Sequence, residues 1–220
     1  MASIADILVK PGVVIEDLKI KFSWAFESEF FSSTQEKDLT GPHWSNFSRL
    51  AHAIGDNTTL EKLVIEFDYL YDADTGEPYN CTKLDDFLNL IASKVGENPC
   101  SALKIFEATS VPDAFHVKAF VKLLETNYTL LKVEIESDDG DWDYDFDSTG
   151  KDQLKMYLHL NQHGRKRLME NPNAIPLKEW ADVFAKLDDT RCVNYYLTRF
   201  PWVMQSPGLS MEDDSDEGGY

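Results

Sequence analysis

The feature that most constrains this chain is a short apolar pattern that recurs along it, each time behind a helical stripe. Three segments carry apolar residues at i, i+3, i+4 and i+7, the spacing of one buried helix face. They are Phe47, Leu50, Ala51, Ile54; then Leu84, Phe87, Leu88, Ile91; then Val117, Phe120, Val121, Leu124. Each leads into a segment of the form apolar-x-x-apolar-x-apolar, which predicts a half-buried strand. These strands are expected at Leu60–Ile65, Cys100–Ile105 and Leu130–Ile135, with an earlier copy at Ile15–Ile20.

The spacing supports a repeat. Phe47 to Leu60 and Val117 to Leu130 are both 13 residues, whereas Leu84 to Cys100 is 16, which places three extra residues near Gly96–Pro99. The longer strand-to-strand steps contain insertions at Tyr69–Cys81 and Phe26–Pro42. Insertions confined to loops, with the strand pattern kept, are what a stacked repeat tolerates. Between helix and strand stand Asn57-Thr-Thr-Leu60 and Asn127-Tyr-Thr-Leu130. Asparagine accepts the backbone conformation that ends a helix, and its side chain bonds local backbone. That role accounts for these two Asn-x-Thr triplets better than glycosylation does.

Helix, Asn-x-Thr-Leu turn and x-x-Leu-x-Ile strand together resemble the ribonuclease-inhibitor-like class of leucine-rich repeats, over about residues 13–137. The resemblance implies an α/β fold, a short leucine-rich-repeat solenoid of parallel strands alternating with helices, and protein binding as its use. The chain departs from that class where an Asn commonly follows the strand: Asp68, Thr109 and Asp138 stand near that place. From Asp152 onward the strand pattern stops and helical stripes take over, at Leu154, Tyr157, Leu158, Asn161; at Trp180, Val183, Phe184, Leu187; and at Val193, Tyr196, Leu197, Phe200. The expected organisation is a repeat domain over 1–150, a helical C-terminal cap over 151–205, and an acidic, disordered tail over 206–220.

Charge narrows the partners. With 39 acidic against 21 basic residues the formal net charge is −18, a field that repels a phosphate backbone. Nucleic acid is therefore not an expected partner, and a basic protein is. No apolar run reaches about 18 residues, so no membrane span is expected. The first ten residues carry Asp6 and too short an apolar run for a signal peptide, and the three cysteines (Cys81, Cys100, Cys192) form no disulfide framework. The expected location is cytoplasmic or nuclear.

Catalytic and metal chemistry find little purchase. His159 and His163 stand i, i+4 but have no evident third ligand. The segment Asp138–Asp147 alternates acids with Trp142, Tyr144 and Phe146, yet lacks the Gly and Glu of a calcium-binding loop; Asp72–Gly76 fails similarly. No phosphate loop or nucleophile motif occurs. The expectation is a binding protein, not an enzyme, with no cofactor and no metal. By strand alternation the surface residues are Lys19, Lys21, Val64, Glu66, Lys104, Phe106, Glu134 and Glu136, with Trp142 and Tyr144 at the rim. They suit an adaptor or scaffold that holds a polypeptide. The alternatives are an acidic chaperone for basic proteins, and a calcium-binding protein or enzyme using the Asp-rich loop.

Overall fold

A computed structural model describes residues 3–22, 42–67, 82–111, 118–137 and 148–205. The chain forms two compact units, 1–162 and 163–220. In the first, helices and strands alternate: α1 (Ile4–Leu8), β1 (Asp17–Phe22), α2 (Pro42–Asp56), β2 (Lys62–Phe67), α3 (Thr82–Glu97), β3 (Ile105–Val111), α4 (Lys118–Thr126), β4 (Lys132–Ser137) and α5 (Ser148–Gln162). The four strands make one parallel sheet in sequence order, β1-β2-β3-β4. Each helix packs against the next along the chain. The fold is α/β. The repeat boundary expected at 150/151 falls inside α5, and α5 belongs to the first unit.

Burial follows the pleat of the sheet. Leu18 stands opposite Leu63, Leu63 opposite Phe106 and Phe106 opposite Val133, and the next inward row is Ile20, Ile65, Ala108 and Ile135. Leu63, Ile65, Phe106 and Ala108 are fully buried against helix residues such as Ile54, Leu88, Ile91 and Leu124. Aromatic rings fill the larger gaps. Phe22, Phe47 and Phe87 meet with centroids 5.1–5.9 Å apart, and Phe106 meets Phe120 at 4.8 Å. Helices in this layer approach closely because glycine permits it: a Cβ on Gly55 would lie 2.4 Å from the Lys94 Cβ and 2.8 Å from its backbone.

An asparagine closes the turn ahead of each of β2, β3 and β4. The Asn57 Oδ1 accepts from the N–H groups of Thr59 (2.9 Å) and Leu60 (2.7 Å), while its Nδ2 donates to the Leu8 carbonyl at the end of α1 (2.9 Å). Asn127 repeats the first half, accepting from Thr129 (3.0 Å) and Leu130 (2.9 Å). Asn98 does the same work in the longer turn: its Oδ1 accepts from Cys100 N–H (2.9 Å) and its Nδ2 donates to the Gly55 carbonyl (2.7 Å). Asn57 and Asn127 are both buried, so these N–H groups have little water to fall back on.

The strand starts are tied by one recurring bond pattern. The Glu16 carbonyl accepts from Glu61 and Lys62 N–H (2.7 and 2.9 Å), Glu61 from Lys104 and Ile105 (2.8 and 3.0 Å), and Lys104 from Leu131 and Lys132 (2.7 and 3.1 Å). The next carbonyl in this series, Leu131, accepts instead from the Gln162 side-chain amide (2.8 Å). Beside it, the buried Asn161 Nδ2 donates to the carbonyls of Leu130 (2.8 Å) and Asn127 (3.2 Å). The end of α5 thus answers the last turn with side chains.

The second unit contains α6 (Arg165–Glu170), α7 (Leu177–Phe184) and α8 (Thr190–Arg199), with single 3-10 turns at Pro172–Ala174 and Pro201–Gln205. The Asp189 side chain caps α8 by accepting from Arg191 N–H (2.8 Å). Trp180 is the centre of its core, with Phe184, Tyr196, Phe200 and Trp202 around it at 5.4–6.1 Å. The Tyr196 hydroxyl is buried with no hydrogen-bond partner. Burial also raises its pKa, ahead of smaller effects from neighbouring groups.

Two stability outcomes follow. Asn127→Ala strips two buried N–H groups of their acceptor and should cost about 2–4 kcal/mol in urea denaturation; a loss under about 0.5 kcal/mol would show the turn holds without the carboxamide. Tyr196→Phe removes an unpaired hydroxyl and should leave stability unchanged or raise it by up to about 1 kcal/mol. A clear loss in the same measurement would mean that oxygen has a partner in solution.

Candidate functional site

One face of the sheet packs on the helices and the other carries polar side chains. On the open face, Asp17 (β1), Lys62 (β2), Ile105 (β3) and Lys132 (β4) share one row, and Lys19, Val64, Glu107 and Glu134 share the next. A third row starts with Lys21, Glu66 and Thr109, and alternation from Glu134 puts Glu136 on the same face of β4. The sequence pattern therefore places Lys19, Lys21, Val64, Glu66, Glu134 and Glu136 on the face expected for them.

Phe106 requires correction. It was expected as the exposed aromatic of this face, and it is fully buried, packed on Phe120. The strand pattern matches β3 in two ways three residues apart, as Cys100-x-x-Leu103-x-Ile105 and as Leu103-x-x-Phe106-x-Ala108. Pairing selects the second, with Phe106 opposite Leu63 and Val133. The cause lies in the turn. Leu60 and Leu130 each follow their asparagine by three positions, whereas Leu103 follows Asn98 by five. Ile105, Glu107 and Thr109 consequently take the outward places. Lys104 precedes β3; its side chain is half-exposed and pairs with Glu61 at 2.6 Å. Trp142, Tyr144 and the rest of the Asp-rich segment lie outside the described residues, as do Asp72–Gly76 and Cys81.

Glu107 organises the centre of the open face. Its carboxylate lies 3.0 Å from the Lys62 Nζ and 3.2 Å from the Lys132 Nζ, bridging β2 and β4 across β3. Only 19% of its side chain is exposed, against 36% and 43% for the two lysines. The hydrogen bond from Lys62, and then that from Lys132, hold its pKa below the ordinary glutamate value despite partial desolvation. Lys132 also meets Glu134 at 2.8 Å, and that bond chiefly raises the lysine's own pKa. Lys19 and Glu66 pair at 2.5 Å. The half-buried Val64 and Ile105 stand among these charges.

Sequence reasoning missed Lys62, Ile105, Glu107 and Lys132. A signal for the first and last was present, since Lys62 and Lys132 each stand just before the central apolar residue of their pattern. Elsewhere the chemistry is spare. An open cleft of about 350 Å³ between α4 and α5 is lined by Lys118, Val121, Lys122, Glu125, Gly150 and Gln153, with no nucleophile among them. Burial, then Asp189, pushes the Cys192 thiol up to about 11, so it stays protonated at neutral pH. Among the described residues, no three His, Cys, Asp or Glu side chains gather to hold a metal ion. Nor is any described helix long and apolar enough to cross a membrane.

What fold and site define together is an α/β unit with a four-stranded parallel sheet and a lysine-glutamate network on the face away from its helices. No family model matches the chain, and no curated protein matches its sequence.

The Glu107 network should show in acid. A carboxylate whose folded-state pKa is depressed contributes stability above its unfolded value and loses it as pH falls through the folded value. Wild-type stability should therefore decline below about pH 4.5, and Glu107→Gln should be less stable than wild type at pH 7 and show a flatter decline, so that the two converge in acid. An identical acid limb in the variant, measured by denaturation between pH 3 and 7, would place the loss on other carboxylates.

Proposed function

We propose that this chain is a short leucine-rich-repeat module of the ribonuclease-inhibitor-like kind, and that it acts by binding a polypeptide on its open, concave sheet face instead of by catalysis. The observation that carries this reading is the open face itself. Among the described residues, twelve outward positions on four parallel strands are exposed or half-buried and stand on the face away from the helical core. Rows of Lys and Glu around half-buried Val64 and Ile105 have the makeup of an interface, an apolar centre with a polar rim.

The charge on this face bears on the partner. Lys19, Lys21, Lys62 and Lys132 stand against Asp17, Glu66, Glu107, Glu134 and Glu136, a near balance in a chain of net charge −18. A purely basic ligand gains little here. The face is better matched to a segment of mixed sign, whose charges alternate with those of the rows. Exposed pairs of this kind contribute about 0–1 kcal/mol each, so specificity would come from pattern and affinity from the apolar centre.

Affinity purification of the tagged full-length chain, followed by mass spectrometry, tests the reading. Ile105→Asp with Lys132→Glu should reduce recovery of the bound polypeptide at least about tenfold, as expected for loss of a central contact worth over about 1.4 kcal/mol. Thermal stability should fall, since Ile105 is half-buried and Lys132 pairs with Glu107 and Glu134, so circular dichroism at the assay temperature must show the variant folded. An unchanged partner set in that variant would remove the open face from the function.

A further inference from the structure

The outward triplets of the two edge strands are charge inverses of one another. On β1 the order is Asp17, Lys19, Lys21; on β4 it is Lys132, Glu134, Glu136. Register puts Asp17 and Lys132 in one row, and Lys19 and Glu134 in the next. We propose that the occupant of the open face is a second copy of this chain, paired face to face about a two-fold axis parallel to the strands. This rests on the open-face reading above and names its partner.

The axis is selected by the charges. A two-fold parallel to the strands keeps each row on itself and exchanges β1 with β4 and β2 with β3. Asp17 then faces Lys132 and Lys19 faces Glu134 of the other copy; beyond Ile135 the β3–β4 register shifts, and Lys21 meets the Glu136 end of β4, so the edges oppose charges of opposite sign. In the middle, Lys62 faces Ile105, Val64 faces Glu107 and Glu66 faces Thr109, with no like charges opposed. A two-fold across the strands fails this test, since it sets Lys19 on Lys19, Glu107 on Glu107 and Glu134 on Glu134. An isologous contact must be self-complementary, and only the first axis makes this surface so.

Pairing within the chain does not prevent it. Lys19–Glu66 and Lys132–Glu134 have side chains 30–61% exposed, and exposed pairs are exchanged at little cost. Strand spacing of about 4.8 Å and two-residue steps of about 6.7 Å give a face of roughly 400 Å² per copy. That is about half the area each partner buries in a standard interface. The dimer is accordingly weak, and salt screens both its edge pairs and the repulsion between two copies of net charge −18.

Sedimentation equilibrium of the full chain from about 10 μM to 1 mM, in 20 mM and 500 mM NaCl, reads it directly. The wild type should dimerise towards 1 mM in at least one of the two salts, low salt favouring the edge pairs and high salt relieving the repulsion between copies of net charge −18. Lys19→Glu with Lys21→Glu, and separately Glu134→Lys with Glu136→Lys, should each be monomeric, because two of the three edge pairs then oppose like charges. Mixed one to one, the two variants should form a one-to-one heterodimer, an outcome that misfolding cannot produce. Circular dichroism checks each variant for folding. Should a double variant not fold, the single pair Lys21→Glu and Glu136→Lys is mixed instead. A wild type monomeric at 1 mM in both salts overturns self-pairing, as does a dimer that survives in both variants or a mixture that stays monomeric. If self-pairing fails while Ile105→Asp with Lys132→Glu still releases a captured polypeptide, the open-face reading stands without it. If that variant also changes nothing, both fall.

Discussion

The carboxamide of a turn asparagine is the contact on which the first unit depends. Where a helix gives way to a parallel strand, the first N–H groups of the extended segment have no helical acceptor and no strand partner yet. The Oδ1 of Asn57 or Asn127 supplies the acceptor for two of them. On Asn57 and Asn98 the nitrogen of the same group reaches back to a carbonyl at the preceding helix end. One side chain thereby closes its own turn and sets the distance to its neighbour. The turns at Asn57 and Asn127 are closed in the same way and that at Asn98 over a longer step, and the carbonyls of Glu16, Glu61 and Lys104 tie the strand starts together. The inward rows can then pack as Leu, Phe and Ile layers, and the outward rows form an ordered surface.

Much of this was legible in the sequence, and the exceptions have definite causes. Period-3.6 stripes ending at Ile54 and Leu124, followed by Asn and a three-residue step to Leu, located α2, β2, α4 and β4. The faces of β1, β2 and β4 followed from alternation. In β3 two overlapping matches competed, and the sequence favoured the one with Ile105 inward because isoleucine is more apolar than Ala108. The discriminating feature was Asn98, the third turn asparagine, standing two residues after Gly96 as Asn57 stands two after Gly55. With Pro99 and no following Thr, it did not look like the other two. The error carried Phe106 to the surface and hid Glu107. Asn161 and Gln162 were equally invisible, since nothing local marks a polar pair on a helix as the acceptor's match for a distant turn.

The distribution of charge separates two roles that a net value merges. The open sheet face is close to neutral in sum and strongly patterned in detail, so the excess acid of the chain lies elsewhere. A field of that sign keeps copies apart at long range, while the rows on the face decide which surfaces can meet at short range. Affinity on such a face would be modest and its selectivity set by order along the strands.

The amide of Gln162 has a consequence for how far this architecture can extend. A parallel array is an open template: its last strand invites another, whether from the same chain or from a misfolded neighbour. Here the backbone oxygen that would receive the first rung of a fifth strand is taken by a side chain from α5. At that edge of the sheet a side chain thus stands where the backbone of a further strand would bond, which blunts it against another chain.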